Sequence, residues 1–363
     1  MSKLSTSLVT LAGSTLLAAC QTVPSNFADA SDKRAVRAEQ LTPITKSPNW
    51  QLVWQDEFDG EQIDLNKWSF EQNCFGGGNN EQQCYTARPV NSFVKDGLLT
   101  IHAQREDFSG PAANDDADDY LTAGTRTLPY TSARLRTKGK GDWRYGRFEI
   151  RAKLPTGQGV WPAIWMLPTD WVYGSWPVSG EIDIMEAVNL HTQSDEVGAP
   201  PGEREMRVHG TLHYGRHWPE NVYTGSGFLL PDGKSPADDF YTYAVEWQAG
   251  EIRFYVDDYH YATQTADGWF SQTKTDNRWQ DNGHNAPFDQ PFHLILNLAI
   301  GGGWPEAVNE KGLNPDALPQ NMQVDFVRVY QCSVEPDTGA GCEARDPNAR
   351  HVKGVKAPNV HKT

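Results

Sequence analysis

Basic residues are in deficit in this chain. Lys and Arg number 32 against 47 Asp and Glu, a formal net charge of −15 over 363 residues. That sign opposes phosphate backbones and anionic membrane surfaces as partners, and it disfavours a highly sulfated polysaccharide, which calls for a basic cleft. Cysteine is scarce, with five residues, and no CxxC spacing supports a thiolate metal cluster. No long helical periodicity, internal repeat or second-domain linker is visible. The apolar stretch at residues 8–19 is too short, and too interrupted by Ser, Thr and Gly, to make a good membrane span.

What remains reads as β-structure. Aromatic residues make up 11% of the chain, with 13 Trp, and 32 Gly and 23 Pro supply turns. Short runs rich in Val, Ile, Tyr, Phe and Trp alternate with turn residues, as in Phe148-Glu149-Ile150-Arg151-Ala152 and Ile252-Arg253-Phe254-Tyr255-Val256. This is the pattern of an all-β sandwich.

The most informative segment is Glu181-Ile182-Asp183-Ile184-Met185-Glu186. Successive strand residues face opposite sides, so Glu181 and Asp183 share one face and Ile182 and Ile184 fill the core behind them. Glu186 would turn inward on a regular strand. A β-bulge near Ile184-Met185 restores it to the acidic face. Acids alternating with Ile also describe a half-exposed strand of an antiparallel sheet. Three like charges on one face repel each other, however, which suits a working site better than a structural surface. Glycoside hydrolysis needs one carboxylate to attack the sugar and one carboxylic acid to protonate the leaving oxygen.

Gly180 through Glu186, preceded by Trp176-Pro177, resembles the active-site signature of glycoside hydrolase family 16, in the bulged form of its laminarinases and several marine-polysaccharide hydrolases. The resemblance extends in order from Leu52-Val53-Trp54-Gln55-Asp56-Glu57-Phe58 through Val160-Trp161-Pro162-Ala163-Ile164-Trp165-Met166 and Gly210-Thr211-Leu212-His213-Tyr214 to Val324-Asp325-Phe326-Val327-Arg328-Val329-Tyr330. It implies a β-jelly-roll of two bent antiparallel sheets with a concave substrate cleft, over residues 48–333. The implied activity is retaining, endo-acting hydrolysis of β-1,3-glucan of the laminarin type by a monomer. The competing substrates are mixed-linkage glucan, agarose and carrageenan. A transglycosylase and a non-catalytic glucan-binding protein are the remaining alternatives.

By resemblance, Glu181 is the nucleophile, Glu186 the acid/base, and Asp183 the group that orients Glu181. Glu181 must be ionised to attack, whereas Glu186 must hold a proton near neutral pH. His213 is expected beside the acidic row. Trp176, Trp161 and Trp304 are expected to pack on sugar rings, and Asn80 and Arg134 to hydrogen-bond them. Trp165 reads equally as core, and Asn297 as a further lining residue. No catalytic cofactor is implied. Glu57, the carbonyl of Gly97 and Asp325 match a structural Ca²⁺ site found in relatives.

The N-terminus reads as an address. Leu17-Ala18-Ala19-Cys20 resembles a bacterial lipoprotein signal, with cleavage after residue 19 and lipidation of Cys20. Gln21 then suggests anchorage at the outer membrane of the cell envelope. The other four cysteines form an even set, and in an oxidising compartment Cys74–Cys84 and Cys332–Cys342 are the expected bridges among three connectivities. Residues 20–47 read as a flexible tether, and residues 334–363 as a disordered tail that begins with a disulfide. Segments 106–125, 191–205 and 265–286 read as loop insertions able to wall a cleft.

Overall fold

The computed structural model describes residues 34–360. Two sheets face each other across a shared apolar core, and helical structure among the described residues is limited to short 3-10 turns. One sheet has nine strands. Its main path runs Val36–Arg37, Asn221–Leu229, Val208–Gly215, Glu181–Glu186, Val160–Pro168, Phe292–Ile300, Arg134–Arg136, Ser69–Phe70. The second, of eleven strands, is built around Gly146–Lys153, Tyr241–Gln248 and Gln320–Cys332. Pairings are antiparallel except at three short strands: Val36–Arg37, Gln83–Tyr85 and Arg350–Val352.

Alternation sets the core. Ile182, Ile164, Met166 and Leu212 of the first sheet are fully buried, as are Phe148, Ile150, Val245 and Val327 of the second. Removing such side chains from water is the main stabilising contribution, on the order of 2 kcal/mol each. In Phe292–Ile300 all nine residues are buried. Its inner side meets the core, and on its outer side Asn297 bonds to Trp165 and Tyr85.

The acidic strand is irregular where the sequence predicts. Against Val160–Pro168, Trp165 pairs with Asp183 but Ile164 pairs with Met185, so Ile184 is the extra residue. Ile184 and Met185 are consecutive and both belong to the apolar core, at the same point where the register against the neighbouring strands shifts. Gly180 leads into the strand at φ +85, and a Cβ there would lie 2.9 Å from Pro287. Only glycine meets both demands.

Both expected disulfides are formed, Cys74–Cys84 and Cys332–Cys342. The expected tether and tail differ from what is found. Ala35, Val36, Ala38 and Leu41 are buried. Val36–Arg37 extends the nine-stranded sheet, Ala35 N donates to Glu196, and Lys46 pairs with Glu149. At the other end, Arg350–Val352 joins Tyr259–Thr265, and Val355 N donates to Tyr214 Oη. Residues after Cys332 cover a buried network in which Arg147 and Arg253 both bond to Glu246, and Tyr255 bridges Glu246 to the carbonyl of Ala344. Charges so buried require this cover and these partners. The Cys20 lipidation site and residues 1–19 lie outside the described residues.

Candidate active site

Register places the acidic strand at the centre of one sheet face. Glu181 stands opposite His213, which stands opposite Tyr223. Asp183 lies between Trp165 and Thr211, and Glu186 between Ala163 and His209. The bulge therefore puts all three carboxyls on one side.

Each outer carboxyl has its own aromatic box. Trp176 Nε1 donates to Glu181 Oε2 over 2.8 Å, and the Trp176 ring lies 5.7 Å from that of His213. His213 in turn lies 5.7 Å from Tyr223. At the other carboxyl, Trp161 Nε1 donates to Glu186 Oε1 over 3.0 Å. Trp304 stands edge-on to Trp161 at 5.6 Å and to His209 at 5.4 Å. Aromatic faces flanked by hydrogen-bonding groups are what sugar rings require, since their C–H faces are apolar and their hydroxyls are not.

Asp183 sits between the boxes and is the most enclosed of the three, with a side chain 2% exposed. His213 Nε2 approaches Asp183 Oδ2 at 3.2 Å and Glu181 Oε1 at 3.6 Å. Burial is the largest cause raising all three carboxyls. Asp183 is held well above the usual range, first by burial and then by the charge of Glu186. Glu181 is pushed up to about 8 by burial and then by Asp183, against the opposing effects of His213 and the Trp176 N–H. Glu186 is raised to about 7 by burial and Glu181, with His213 and the Trp161 N–H opposing.

The raised Glu186 agrees with the sequence reading. The raised Glu181 departs from the expectation of a readily ionised nucleophile. Three crowded carboxyls do not all ionise together, so they titrate as one set. The charge of Asp183 and its hydrogen bond both raise Glu181, while that bond lowers Asp183, so within this pair the shared proton lies toward Glu181.

Other predicted residues distribute unevenly. Asn80 is exposed on a loop whose Asn79 carbonyl accepts from Gly303 N, next to Trp304. Arg134, expected to reach sugar hydroxyls, is instead buried. It pairs with Glu71 at 3.2 Å and underlies the rings of Tyr85 and Trp165. Its guanidinium supports the floor of the cleft and does not project into it. Trp165, left ambiguous by sequence, shares its face with Trp161 and Ala163 and donates to Asn297 Oδ1 over 2.6 Å. Asn297 donates to Tyr85 Oη, which donates to Glu81. His209 and Tyr223 were not singled out by sequence reasoning. His209 was legible, because it shares strand parity with Thr211 and His213.

The strand register brings the three expected calcium positions toward one stretch of Gln320–Cys332. Arg328 takes both oxygens of Glu57 at 2.8 Å and Arg151 holds Asp325, so an ion there would displace both guanidinium groups.

A face of paired carboxyls bracketed by indoles defines a carbohydrate-hydrolysing site. Residues 50–332 match the family described as Beta-porphyranase A-D, GH16 domain. The chain belongs to glycoside hydrolase family 16 and is a glycoside hydrolase. It is 41% identical over 290 residues to Glucan endo-1,3-beta-glucosidase A1 of Niallia circulans, covering 77% of this chain and 38% of that protein. It is 40% identical over 294 residues to the Beta-glucanase of Rhodothermus marinus, covering 79% of this chain and 87% of that one. The solved laminarinase from Rhodothermus marinus superposes with a TM-score of 0.56 at 39% identity, over 77% of this chain and 97% of that chain. The fold is the bent jelly-roll of those laminarinases.

Proposed function

We propose that this chain cuts β-1,3-glucan internally, with retention at the anomeric carbon. The observation that carries this reading is the bulge, which sets Glu181 and Glu186 on one face with a separate indole donor for each. Glu181 attacks C1 while Glu186 protonates the departing glycosidic oxygen, giving a glycosyl–enzyme ester. Glu186, now ionised, takes a proton from water, and that water attacks C1 and releases Glu181. Asp183 acts as a positioning residue through its hydrogen bond to Glu181, and His213 orients that pair. Trp176, Trp161 and Trp304 serve as sugar platforms, with Asn80 as a polar contact.

The relatives named for 1,3-glucan and laminarin favour that linkage, as does the acidic net charge. A galactan substrate is the second reading, favoured by the porphyranase description of the matching family. A reducing-end assay on laminarin, lichenan, agarose, porphyran and carrageenan, with product sizing, separates them. Release of short 1,3-linked oligosaccharides from laminarin is expected, and turnover of galactans alone would overturn the choice of linkage. The reading also includes a monomer secreted and anchored to the outer membrane through lipid on Cys20. Metabolic labelling with a fatty-acid probe that is lost in Cys20→Ser tests the anchor.

A further inference from the structure

Most charged clusters in the molecule are paired internally. Arg147, Glu149, Glu246 and Arg253 bond to one another, and Arg207 joins Glu205 to Asp195. The acidic row of the cleft is less completely paired. Asp183 Oδ2 is buried without a hydrogen-bond partner, although His213 Nε2 is near it, and His213 Nδ1 is also unpartnered.

We propose that Glu181 Oε1, Asp183 Oδ2 and His213 Nε2 form a site for a divalent transition cation of the zinc type, which enters from the cleft and blocks it. Each of the three residues offers one ligand atom within 4.8 Å of those of the other two. The nitrogen stands 3.2 Å from Asp183 Oδ2 and 3.6 Å from Glu181 Oε1. A tetrahedral zinc ion with bonds of about 2.0–2.2 Å sets its ligand atoms roughly 3.3–3.5 Å apart. Both separations from the imidazole nitrogen are thus close to those around that ion. The unpartnered Asp183 oxygen, aimed into the cluster, gains a ligand bond in place of a missing hydrogen bond.

The donor set selects the ion. Calcium takes six to eight oxygens and magnesium a near-octahedral oxygen shell, whereas one imidazole and two carboxylates suit zinc or copper. Glu186 lies across the bulge on Trp161 and takes no part, so the fourth position is left open to the cleft. A resident catalytic zinc would have a histidine whose second nitrogen is also hydrogen-bonded. His213 Nδ1 lacks such a partner, so the ion is a reversible guest that competes with substrate.

The inhibition rests on the proposed hydrolase reading, but the binding does not. Calorimetry on the full chain in chelator-stripped buffer therefore tests the site without any turnover. Zinc chloride should titrate to one ion per chain, while calcium and magnesium should give no comparable uptake. Affinity should fall at least about tenfold in His213→Ala and in Asp183→Asn, with near-ultraviolet circular dichroism checking their fold. In the unsubstituted chain, a laminari-oligosaccharide should weaken zinc binding, and a chelator should restore any activity that zinc removes. Zinc uptake unchanged in both folded variants, or uptake indifferent to the oligosaccharide, would overturn the proposal.

Discussion

Trp161 holds Glu186 by its indole N–H, 3.0 Å from Oε1. This bond favours the ionised carboxylate and so opposes the burial that lifts Glu186 to about 7. Trp161→Phe keeps the ring but deletes the donor, so Glu186 should hold its proton to higher pH. The basic limb of kcat/KM for laminarin, expected near pH 7 in the unsubstituted enzyme, should move up by a few tenths of a unit or more. An unmoved limb would separate Glu186 from that titration.

Glu181→Gln should abolish hydrolysis while leaving oligosaccharide binding largely intact, as read by turnover and by calorimetry. It should also stabilise the fold at high pH. A carboxyl whose folded value is raised binds its proton more tightly in the folded state, so stability falls as pH rises from the unfolded value of 4.5 through the folded value of about 8. An uncharged Gln escapes that loss. The free energy of urea unfolding should exceed the parent's at pH 8 by a few kcal/mol, roughly 1.4 kcal/mol for each pH unit between 4.5 and about 8, and the two should converge near pH 4. Equal midpoints at pH 8 would show that Glu181 is not proton-linked to folding.

Asp183→Asn should lower kcat by at least about tenfold with little change in KM, since the residue acts through Glu181 and faces no sugar directly. Its acid limb should also shift, because Asn removes the charge that raises Glu181. A change confined to KM would reassign Asp183 to substrate binding.

Removing residues 34–47 should destabilise the enzyme and not merely shorten a linker. Ala35, Val36, Ala38 and Leu41 would leave their buried positions, and Glu196 and Glu149 would lose their partners. The cost should be on the order of 3 kcal/mol, read from denaturant midpoints. A truncated chain as stable as the parent would restore the tether reading.

Much of the site was legible because its signals are periodic. Glu181, Asp183 and the uneven step to Glu186 follow from two-residue alternation plus one bulge, and Trp161 carries the same parity. That parity also points Trp165 at the cleft, but an apolar neighbourhood made it equally readable as core. Arg134 misled because a lone basic residue near a cleft looks exposed, and its partner Glu71 lies 63 positions away. The edge strands Val36–Arg37 and Arg350–Val352 are two and three residues long. Strands so short carry no periodicity of their own and take their structure from the sheet edge they join. Glu57 and Asp325 were matched by residue type, while their arginine partners, Arg328 and Arg151, lie on strands whose pairing sequence alone did not give.

The central claim is that Glu181 and Glu186 act in succession through a glycosyl–enzyme ester. Proton NMR of the first products from a laminari-oligosaccharide tests it most directly, because it reads the new anomeric centre before mutarotation. The β-anomer should appear first and the α-anomer only later. An α-anomer formed first would mean single displacement, and the roles given to the two carboxyls would be wrong.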